Sequence, residues 1–314
     1  MTIAHRFIGI DISKAHLDVY DDGTAKFERI ANSAAAVAAT LARLPRAGTR
    51  VIFEATGSYD RILRSALEAA DFVYVRVNPA RARDFARATS ALAKTDAIDA
   101  RLLAAMGRAL ALAPSQAADP LRERLRGLQR RRDQLVATRA DEKKRLGLAE
   151  DGAEDGDVRA SITAHIAWIG AEITRLQVGI DQLVAGSAEL AALRKRLQTA
   201  PGVGPVTALT LIALMPELGQ RSGKTIAALA GLAPFNNDSG ALRGQRHIKG
   251  GRGRVRRALY MAALAAIRKV PRLAAHYRNV VTRSGHAKVG IIAVARKLLV
   301  TLNAMAKTGQ PFAA

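Results

Sequence analysis

Short apolar segments recur through the first eighty residues at the spacing of strands. Residues 7–12 form an apolar run that predicts a buried strand, and residues 17–20 and 26–30 predict two further strands with turn residues between them. Two more runs, at 49–54 and 72–77, have the same character. The pattern therefore predicts five strands, of which the first three are joined by hairpins.

Helical patterns separate the later strands. Asn32 is predicted to cap an alanine-rich helix that runs to residue 44, and a second helix is predicted over 58–70. Pro79 opens a third, and Thr95 is predicted to cap a fourth that ends near residue 112. Hairpin-linked strands followed by alternating strands and helices predict a mixed α/β sheet, in the element order of ribonuclease H.

Beyond Pro114 and Pro120 the pattern becomes purely helical. A first helix carries a stripe of leucines that Arg132 interrupts, and a second carries Ile and Leu at alternating steps of four and three over 162–183. This spacing predicts a coiled-coil seam. The acidic segment 147–157 is predicted to be the solvated loop of the helical hairpin. The seam fits an intramolecular hairpin alone or one that also forms an oligomer interface.

A glycine-rich turn opens the last third of the chain. Gly202 and Gly204 lie between a helix that ends near Ala200 and an apolar helix predicted over 206–215. This order is typical of a helix-hairpin-helix motif, which presents backbone amides to a phosphate without reading bases. A basic helix through Ile267 and a final helix complete the chain. We therefore expect three domains: an α/β domain over 1–113, a coiled-coil region over 114–198 and a mainly helical domain over 199–314.

Charge is concentrated in that last domain. The 314 residues have a net charge of +22, and residues 201–314 hold 18 basic side chains against two acidic ones. A segment with so large an excess of positive charge favours a polyanionic partner. Of the 49 basic residues, 37 are arginine, which binds phosphate in a bidentate manner. A GC-rich gene would produce the same arginine bias.

Composition excludes several classes of protein. With 49% apolar residues, the chain has enough hydrophobic material to form a core, and the lack of cysteine excludes disulfides and thiolate metal sites. No uninterrupted apolar stretch reaches the length of a membrane span. We therefore expect no membrane partner and a cytoplasmic, nucleoid-associated protein.

Four acidic residues fall where a metal site could form. Asp11 lies toward the end of the first strand and Glu54 closes the fourth, so neighbouring parallel strands would bring both to one sheet edge. Asp96 and Asp99 share a face in the first turn of a helix. Mg²⁺ or Mn²⁺ would relieve the repulsion among four such carboxylates and would suit phosphoryl transfer. Taken singly, each acid could equally be a cap or a surface charge, and Asp96 and Asp99 could simply favour the helix N-terminus.

Ser239 lies in a turn-like segment that is followed by basic residues. A serine that attacks a phosphodiester needs its developing negative charge balanced, and nearby arginines could do that. No histidine or lysine base is evident beside it, and an ordinary turn is the simpler interpretation of a Ser-Gly pair. The candidate nucleic-acid contacts are Lys94, Gly202, Gly204, Arg243, Arg246, Lys249, Arg252, Arg254, Arg256 and Arg257.

The motifs together resemble the insertion-sequence one-ten family of DEDD transposases, which are similar to the pilin-gene invertases. The matching segments span nearly the whole chain. They are Gly9-Ile10-Asp11-Ile12-Ser13-Lys14, Glu54-Ala55-Thr56-Gly57-Ser58-Tyr59, Asn78-Pro79, Lys94-Thr95-Asp96-Ala97-Ile98-Asp99-Ala100, Pro201-Gly202-Val203-Gly204, Ser239-Gly240, Gly250-Gly251-Arg252 and Arg257-Ala258-Leu259-Tyr260-Met261.

This resemblance implies a RuvC-like ribonuclease H domain joined by a coiled coil to a C-terminal transposase domain. It implies that the four acids bind Mg²⁺ and that Ser239 cuts DNA through a covalent phosphoserine, with the acidic site supplied by another subunit. It further implies a noncoding bridge RNA that pairs with target and donor DNA, and a homo-oligomer that is a tetramer in the synaptic complex. Pairing by the RNA would supply the sequence specificity.

Two alternatives remain open at the level of sequence. A metal-dependent nuclease of the Holliday-junction type would use the four acids without Ser239. A noncatalytic nucleic-acid-packaging protein would need the basic residues alone.

Overall fold

The computed structural model describes residues 6–55, 57, 59–90, 96–117, 119–152, 155–235 and 246–313. The chain divides into two compact units, unit 1 at 1–117 and unit 2 at 118–314.

Within the described part of unit 1, five strands form one mixed sheet in the order β3-β2-β1-β4-β5. Strands β1, β2 and β3 are antiparallel, whereas β1 pairs with β4, and β4 with β5, in parallel. The prediction of a mixed α/β sheet is confirmed. The first and fourth strands are parallel neighbours, which is the condition under which the sequence placed Asp11 and Glu54 at one edge. The strands are β1 (Arg6–Ile12), β2 (His16–Asp21), β3 (Lys26–Ala31), β4 (Thr49–Glu54) and β5 (Val73–Val77).

Alternate residues of each strand point to opposite faces of the sheet, and both faces carry apolar side chains. Helices therefore cover both faces. One layer joins Ile8, Ile10 and Ile12 to apolar residues of α1 and α2, and the other joins Phe7 and Ile52 to those of α3 and α4. This arrangement is consistent with a ribonuclease H-like DEDD domain. The helices are α1 (Ala34–Ala42), α2 (Arg61–Ala69), α3 (Pro79–Ala88) and α4 (Asp96–Ala109).

Two predicted helix starts differ from the structure. Ser33, not Asn32, caps α1 by accepting a hydrogen bond from the Ala36 amide. The side-chain amide of Asn32 instead donates hydrogen bonds to the backbone carbonyls of Ser13 and Tyr59, at 2.9 and 3.0 Å. These tertiary contacts outweigh the tendency of Asn32 to cap a helix. The second helix begins at residue 61 rather than 58. Thr95, the predicted cap of α4, lies outside the described residues.

The segment after α4 runs along the outer edge of β5. The amide of Ser115 donates to the Tyr74 carbonyl at 2.8 Å, and its hydroxyl accepts from the Arg76 amide at 2.9 Å. This edge of the sheet is therefore partly covered by the end of unit 1 itself.

Helices build most of unit 2 around one large apolar core. In chain order the elements are α5 (Pro120–Asp151), α6 (Gly156–Ala185), α7 (Ala188–Gln198), α8 (Pro205–Leu214), α9 (Gly223–Leu229), β6 (Pro234–Phe235), β7 (His247–Ile248), α10 (Gly253–Lys269), α11 (Pro271–Ser284) and α12 (Ala287–Thr308). Neither α11 nor the β6–β7 hairpin was predicted from the sequence.

The long helices α5 and α6 pack against each other, and the predicted stripe of α6 is buried over Ile169, Ile173, Leu176 and Ile180. The loop predicted over 147–157 is too long at both ends, because α5 continues to residue 151 and α6 starts at 156. Leucine and alanine after Gly147 are strong helix formers that outweigh one glycine within the helix.

Arg132, which interrupts the leucine stripe of α5, lies at a polar junction between helices. Its guanidinium contacts Asp133 at 3.3 Å, and Asp133 in turn pairs with Arg254 of α10 at 2.8 Å. The polar interruption is therefore part of the packing between α5 and α10.

Helix α12 is long and apolar enough, by length and composition, to cross a membrane, with a mean hydropathy of 1.6. Half of that apolar window is buried inside unit 2, where Leu298, Leu299 and Leu302 join the core. Burial of this kind is typical of a core helix, and it accounts for an apolar stretch that a search for uninterrupted runs does not detect.

Candidate functional site

Asp11 lies on the sheet face that α4 covers. It follows Gly9 on β1 by two residues, and a Cβ at Gly9 would stand 1.9 Å from the Ala100 carbonyl oxygen of α4. The helix therefore approaches β1 as closely as backbone allows. The first turn of α4, which holds Asp96 and Asp99, is placed beside the end of β1 by this contact.

Glu54 reaches the same edge from β4. The parallel register pairs Ile10 with Phe53, so Asp11 and Glu54 each stand one residue beyond that pair. Because residues level with each other on parallel strands share a face, both carboxylates are directed to the α4 side. This is the convergence that strand adjacency predicted from the sequence.

The pKa of Asp11 is consistent with the approach of these acidic residues. Burial raises its pKa above the ordinary value, and the carboxylates of Asp99, Asp96 and Glu54 raise it further, against a hydrogen bond from the Ile12 amide that lowers it. Repulsion from three neighbouring acids disfavours the charged form of Asp11. A bound cation would reverse this effect.

The donor chemistry fits a hard divalent cation, since Mg²⁺ and Mn²⁺ prefer carboxylate oxygen. In the part of the chain that the structure describes, however, no group of three or more His, Asp or Glu side chains is close enough to hold a metal ion as it stands. At this edge, Asp96 Oδ2 accepts a hydrogen bond from Arg29 Nη2 at 2.7 Å. Asp99, Asp96 and Glu54 lie within electrostatic reach of Asp11 without forming a closed coordination shell.

Two residues at this edge, Asp18 and Arg29, were not predicted from the sequence. Asp18 of β2 stands opposite Asp11 in the antiparallel register, and its side chain is only 3% exposed. Arg29 of β3 stands opposite Asp18 and binds both of its carboxylate oxygens, at 2.8 and 3.1 Å. The signal was an acidic residue between Leu17 and Val19 in a predicted strand, which is unusual for a buried position.

Three of the predicted site residues, Lys94, Ser239 and Arg243, lie outside the described residues. The described chain on either side of Ser239 forms the two short strands of a hairpin, where Phe235 pairs with His247.

The predicted basic contacts of unit 2 fall into two groups. Arg246, Lys249 and Arg257 are exposed. The other three are engaged within the protein: Arg252 forms two hydrogen bonds of 2.6 Å with Glu217, Arg254 pairs with Asp133, and Arg256 donates to the carbonyls of Gly231 and Gly250.

The two glycines of the predicted hairpin turn also differ from each other. Gly202 has a φ of +87°, and a Cβ there would lie 2.3 Å from the Ala262 carbonyl oxygen of α10. Gly202 is thus required by packing. Gly204 caps α8, and a Cβ added at this position would meet no atom within 4 Å, so the start of α8 is open.

Beside the β6–β7 hairpin, unit 2 contains a groove of about 810 Å³. Its walls are mainly apolar and come from the hairpin, α10, α11 and α12, and include Tyr260 and Ile292. Basic side chains complete the lining: Arg246, Lys288, Arg296 and Lys297. This groove was not predicted from the sequence, because it depends on how α12 packs beside the hairpin.

Comparison with known proteins agrees with this geometry. Residues 8–148 match a family model of the DEDD group described as "Transposase", and residues 194–278 match one described as "Transposase IS116/IS110/IS902 family". The chain is also similar to the pilin gene-inverting proteins of Moraxella lacunata and Moraxella bovis. The identity to each is 29% over an alignment of 271 residues, and the alignment covers 83% of this chain and 81% of each relative. The two family models together match more than half of the chain, and it belongs to the IS116/IS110/IS902 family of transposases, which makes it a DNA-recombining enzyme.

Proposed function

We propose that this transposase excises its own insertion sequence and inserts it at specific sites, using an acidic metal site in unit 1 and Ser239 as nucleophile. The observation that carries the proposal is the placement of Asp11 and Glu54 at one edge of adjacent parallel strands, beside the turn of α4 that holds Asp96 and Asp99. This edge lies within the segment that matches the transposase family. Family membership favours this function over a noncatalytic packaging protein.

Asp11, Glu54, Asp96 and Asp99 would hold Mg²⁺ or Mn²⁺. When bound, the cation would supply positive charge beside a phosphodiester whose oxygens gain negative charge during cleavage. Without a cation, the negative charges of the neighbouring carboxylates repel that of Asp11. This repulsion lowers the stability of the metal-free protein.

Ser239 would attack the phosphorus of a DNA phosphodiester. Its Oγ–P bond would form as the bond from phosphorus to the leaving deoxyribose oxygen breaks, with the hydroxyl proton passing to a base and the leaving oxygen gaining a proton. The covalent phosphoserine preserves the bond energy for rejoining to a new strand. Neighbouring basic residues, among them Arg243 and Arg246, would balance the developing charge.

A bridge RNA is the proposed source of sequence specificity. The chain has few aromatic side chains on which bases could stack, 13 in 314 residues, while its basic residues suit phosphate contacts. Pairing between RNA and DNA would then select the site. We propose that exposed Arg246, Lys249 and Arg257 contribute to holding these nucleic acids.

Self-association through the α5–α6 hairpin completes the proposal, with residues 1–113, 114–198 and 199–314 as catalytic, oligomerisation and transposase domains. The hairpin exposes Leu148, Val158 and Trp168, which is 56% exposed. Large apolar side chains on long helices are typical of helix-helix interfaces. A dimer that becomes a tetramer in the synaptic complex would bring several active sites to the two DNA partners.

The serine mechanism is tested by strand cleavage with purified protein, element-end DNA and a transcript of the flanking noncoding sequence. Ser239→Ala should abolish cleavage and the covalent protein–DNA adduct, whereas Ser65→Ala, at an exposed position of α2, should preserve both. Full cleavage by Ser239→Ala would eliminate the serine mechanism and favour a junction-type nuclease, which needs only the acids.

The metal site is tested separately by thermal unfolding with and without Mg²⁺. Asp11→Asn should melt at a higher temperature than the natural protein in chelator, because the repulsion at Asp11 is removed, and should lose the added stability that Mg²⁺ gives. Asp84→Asn, at an exposed carboxylate of α3, serves as the control. Equal Mg²⁺ stabilisation of Asp11→Asn and the natural protein would contradict the assignment.

A further inference from the structure

A single guanidinium joins the interior of the sheet to the first residue of α4. Arg29 binds the Asp18 carboxylate through Nε and Nη2, at 2.8 and 3.1 Å, and the same Nη2 donates to Asp96 Oδ2 at 2.7 Å. Both carboxylates therefore depend on one side chain, although Asp18 and Asp96 lie 78 positions apart in the sequence.

Asp18 anchors this arrangement. Its side chain is 3% exposed, and a buried carboxylate without a partner is costly, so the pair with Arg29 is maintained. The planar fork of arginine matches two carboxylate oxygens and fixes the orientation of the guanidinium. Strand pairing reinforces it, because Asp18 and Arg29 are direct partners in the β2–β3 register.

Asp96, by contrast, has a side chain that is 61% exposed. An exposed aspartate at the start of a helix would ordinarily sample several rotamers. The hydrogen bond from Arg29 restricts it and engages one of its two carboxylate oxygens. The anchor itself stands beside the site, since Asp18 is the antiparallel partner of Asp11.

We propose that Arg29, held by Asp18, is a positioning residue that fixes the Asp96 carboxylate for divalent-cation binding at the acidic site. The inference rests on the proposed metal site and goes beyond it, because neither Asp18 nor Arg29 belongs to the four acids. Partners that orient metal-binding side chains in this way typically affect metal affinity by about 10- to 100-fold.

The test is Mn²⁺ binding to the full-length protein, measured by electron paramagnetic resonance of the free ion. Arg29→Ala should weaken Mn²⁺ affinity by roughly tenfold or more. Arg29→Lys, which keeps the charge but loses the fork, should recover part of that loss. Arg43→Ala is the matched control, because Arg43 forms an exposed ion pair with Glu28 on the same strand as Arg29, β3, and this variant should bind Mn²⁺ like the natural protein.

The outcomes separate this inference from the metal site itself. If Asp11→Asn leaves Mn²⁺ binding unchanged, the proposed metal site fails. If Asp11→Asn abolishes binding while Arg29→Ala binds as tightly as the Arg43→Ala control, or more tightly, the role of Arg29 is overturned and the metal site stands. Asp18→Asn provides a second route, since loosening the anchor should weaken Mn²⁺ binding with Arg29 still in place. Circular dichroism of each variant verifies that it is folded.

Discussion

The contact between Gly9 and α4 gives a sharp test of how unit 1 places its acidic residues. In Gly9→Ala, the new Cβ would lie 1.9 Å from the Ala100 carbonyl oxygen and 2.6 Å from the Ala104 amide nitrogen. Ordinary contacts of a Cβ begin near 3.4 Å, so α4 and β1 must separate by about 1.5 Å. Both obstructing atoms are backbone, and no side-chain rotation can relieve the clash.

The expected loss of stability follows from this geometry. Overpacking of a core costs about 1–3 kcal/mol, and the upper end applies because the obstruction is backbone. For a unit of this size, that corresponds to a fall in Tm of roughly 10 °C. Activity should fall further, since a misplacement of about 1 Å at a reacting centre can cost about 100-fold and α4 carries Asp96 and Asp99.

The assay is differential scanning calorimetry of the full-length protein together with DNA strand exchange. Gly127→Ala is the control, because this glycine lies within α5 with no atom within 4 Å of a Cβ and should gain up to about 1 kcal/mol from helix propensity. A Gly9→Ala protein that melts and recombines like the control would refute the close approach of α4 to β1.

Three further predictions concern unit 2. Asn303→Leu should lower stability by about 1–3 kcal/mol in chemical denaturation, because the buried amide of this residue bonds two backbone groups of the loop before α9; an unchanged midpoint would contradict it. Burial raises the pKa of Glu217, but hydrogen bonds from Arg252 outweigh it and hold the pKa below its ordinary 4.5. The stability from this pair is present above the unfolded-state pKa and lost as the pH falls through the folded-state pKa, so Glu217→Gln should flatten the acid limb of a stability–pH profile. Arg257→Ala should lower the slope of log DNA affinity against log salt concentration by the amount of about one phosphate contact, with little effect on Tm. Arg256→Ala should mainly lower Tm, because Arg256 donates hydrogen bonds to the carbonyls of Gly231 and Gly250.

The sequence predicted the sheet of unit 1 well, because its central strands are apolar runs bounded by turn residues. The approach of Glu54 to Asp11 was predicted on the condition that the first and fourth strands are parallel neighbours, and the structure meets that condition. The pair of Asp18 and Arg29 was not predicted, since it depends on the exact register of the β2–β3 hairpin. Register is a relation between strands, and a single strand pattern does not contain it.

Unit 2 shows a different limit of sequence reasoning. The buried stripe of α6 was predicted from the spacing of its apolar residues. The acidic residues at the end of α5 were predicted to form a loop, although residues 148–151 are helical and most of their types have good helix propensity. Basic residues near α10 were treated as one class. The structure separates them by tertiary partners such as Glu217 and Asp133, which lie far away in the sequence.

The backbone of Ser115 along β5 has a practical consequence for dividing this protein. A fragment cut at residue 113, the boundary expected from the prolines, would remove the hydrogen bonds to Tyr74 and Arg76 and leave that strand open along its length. Exposed strand edges recruit other chains, so such a fragment would tend to aggregate. An expression fragment of unit 1 that extends through residue 117 keeps the segment around Ser115 that covers the edge of β5.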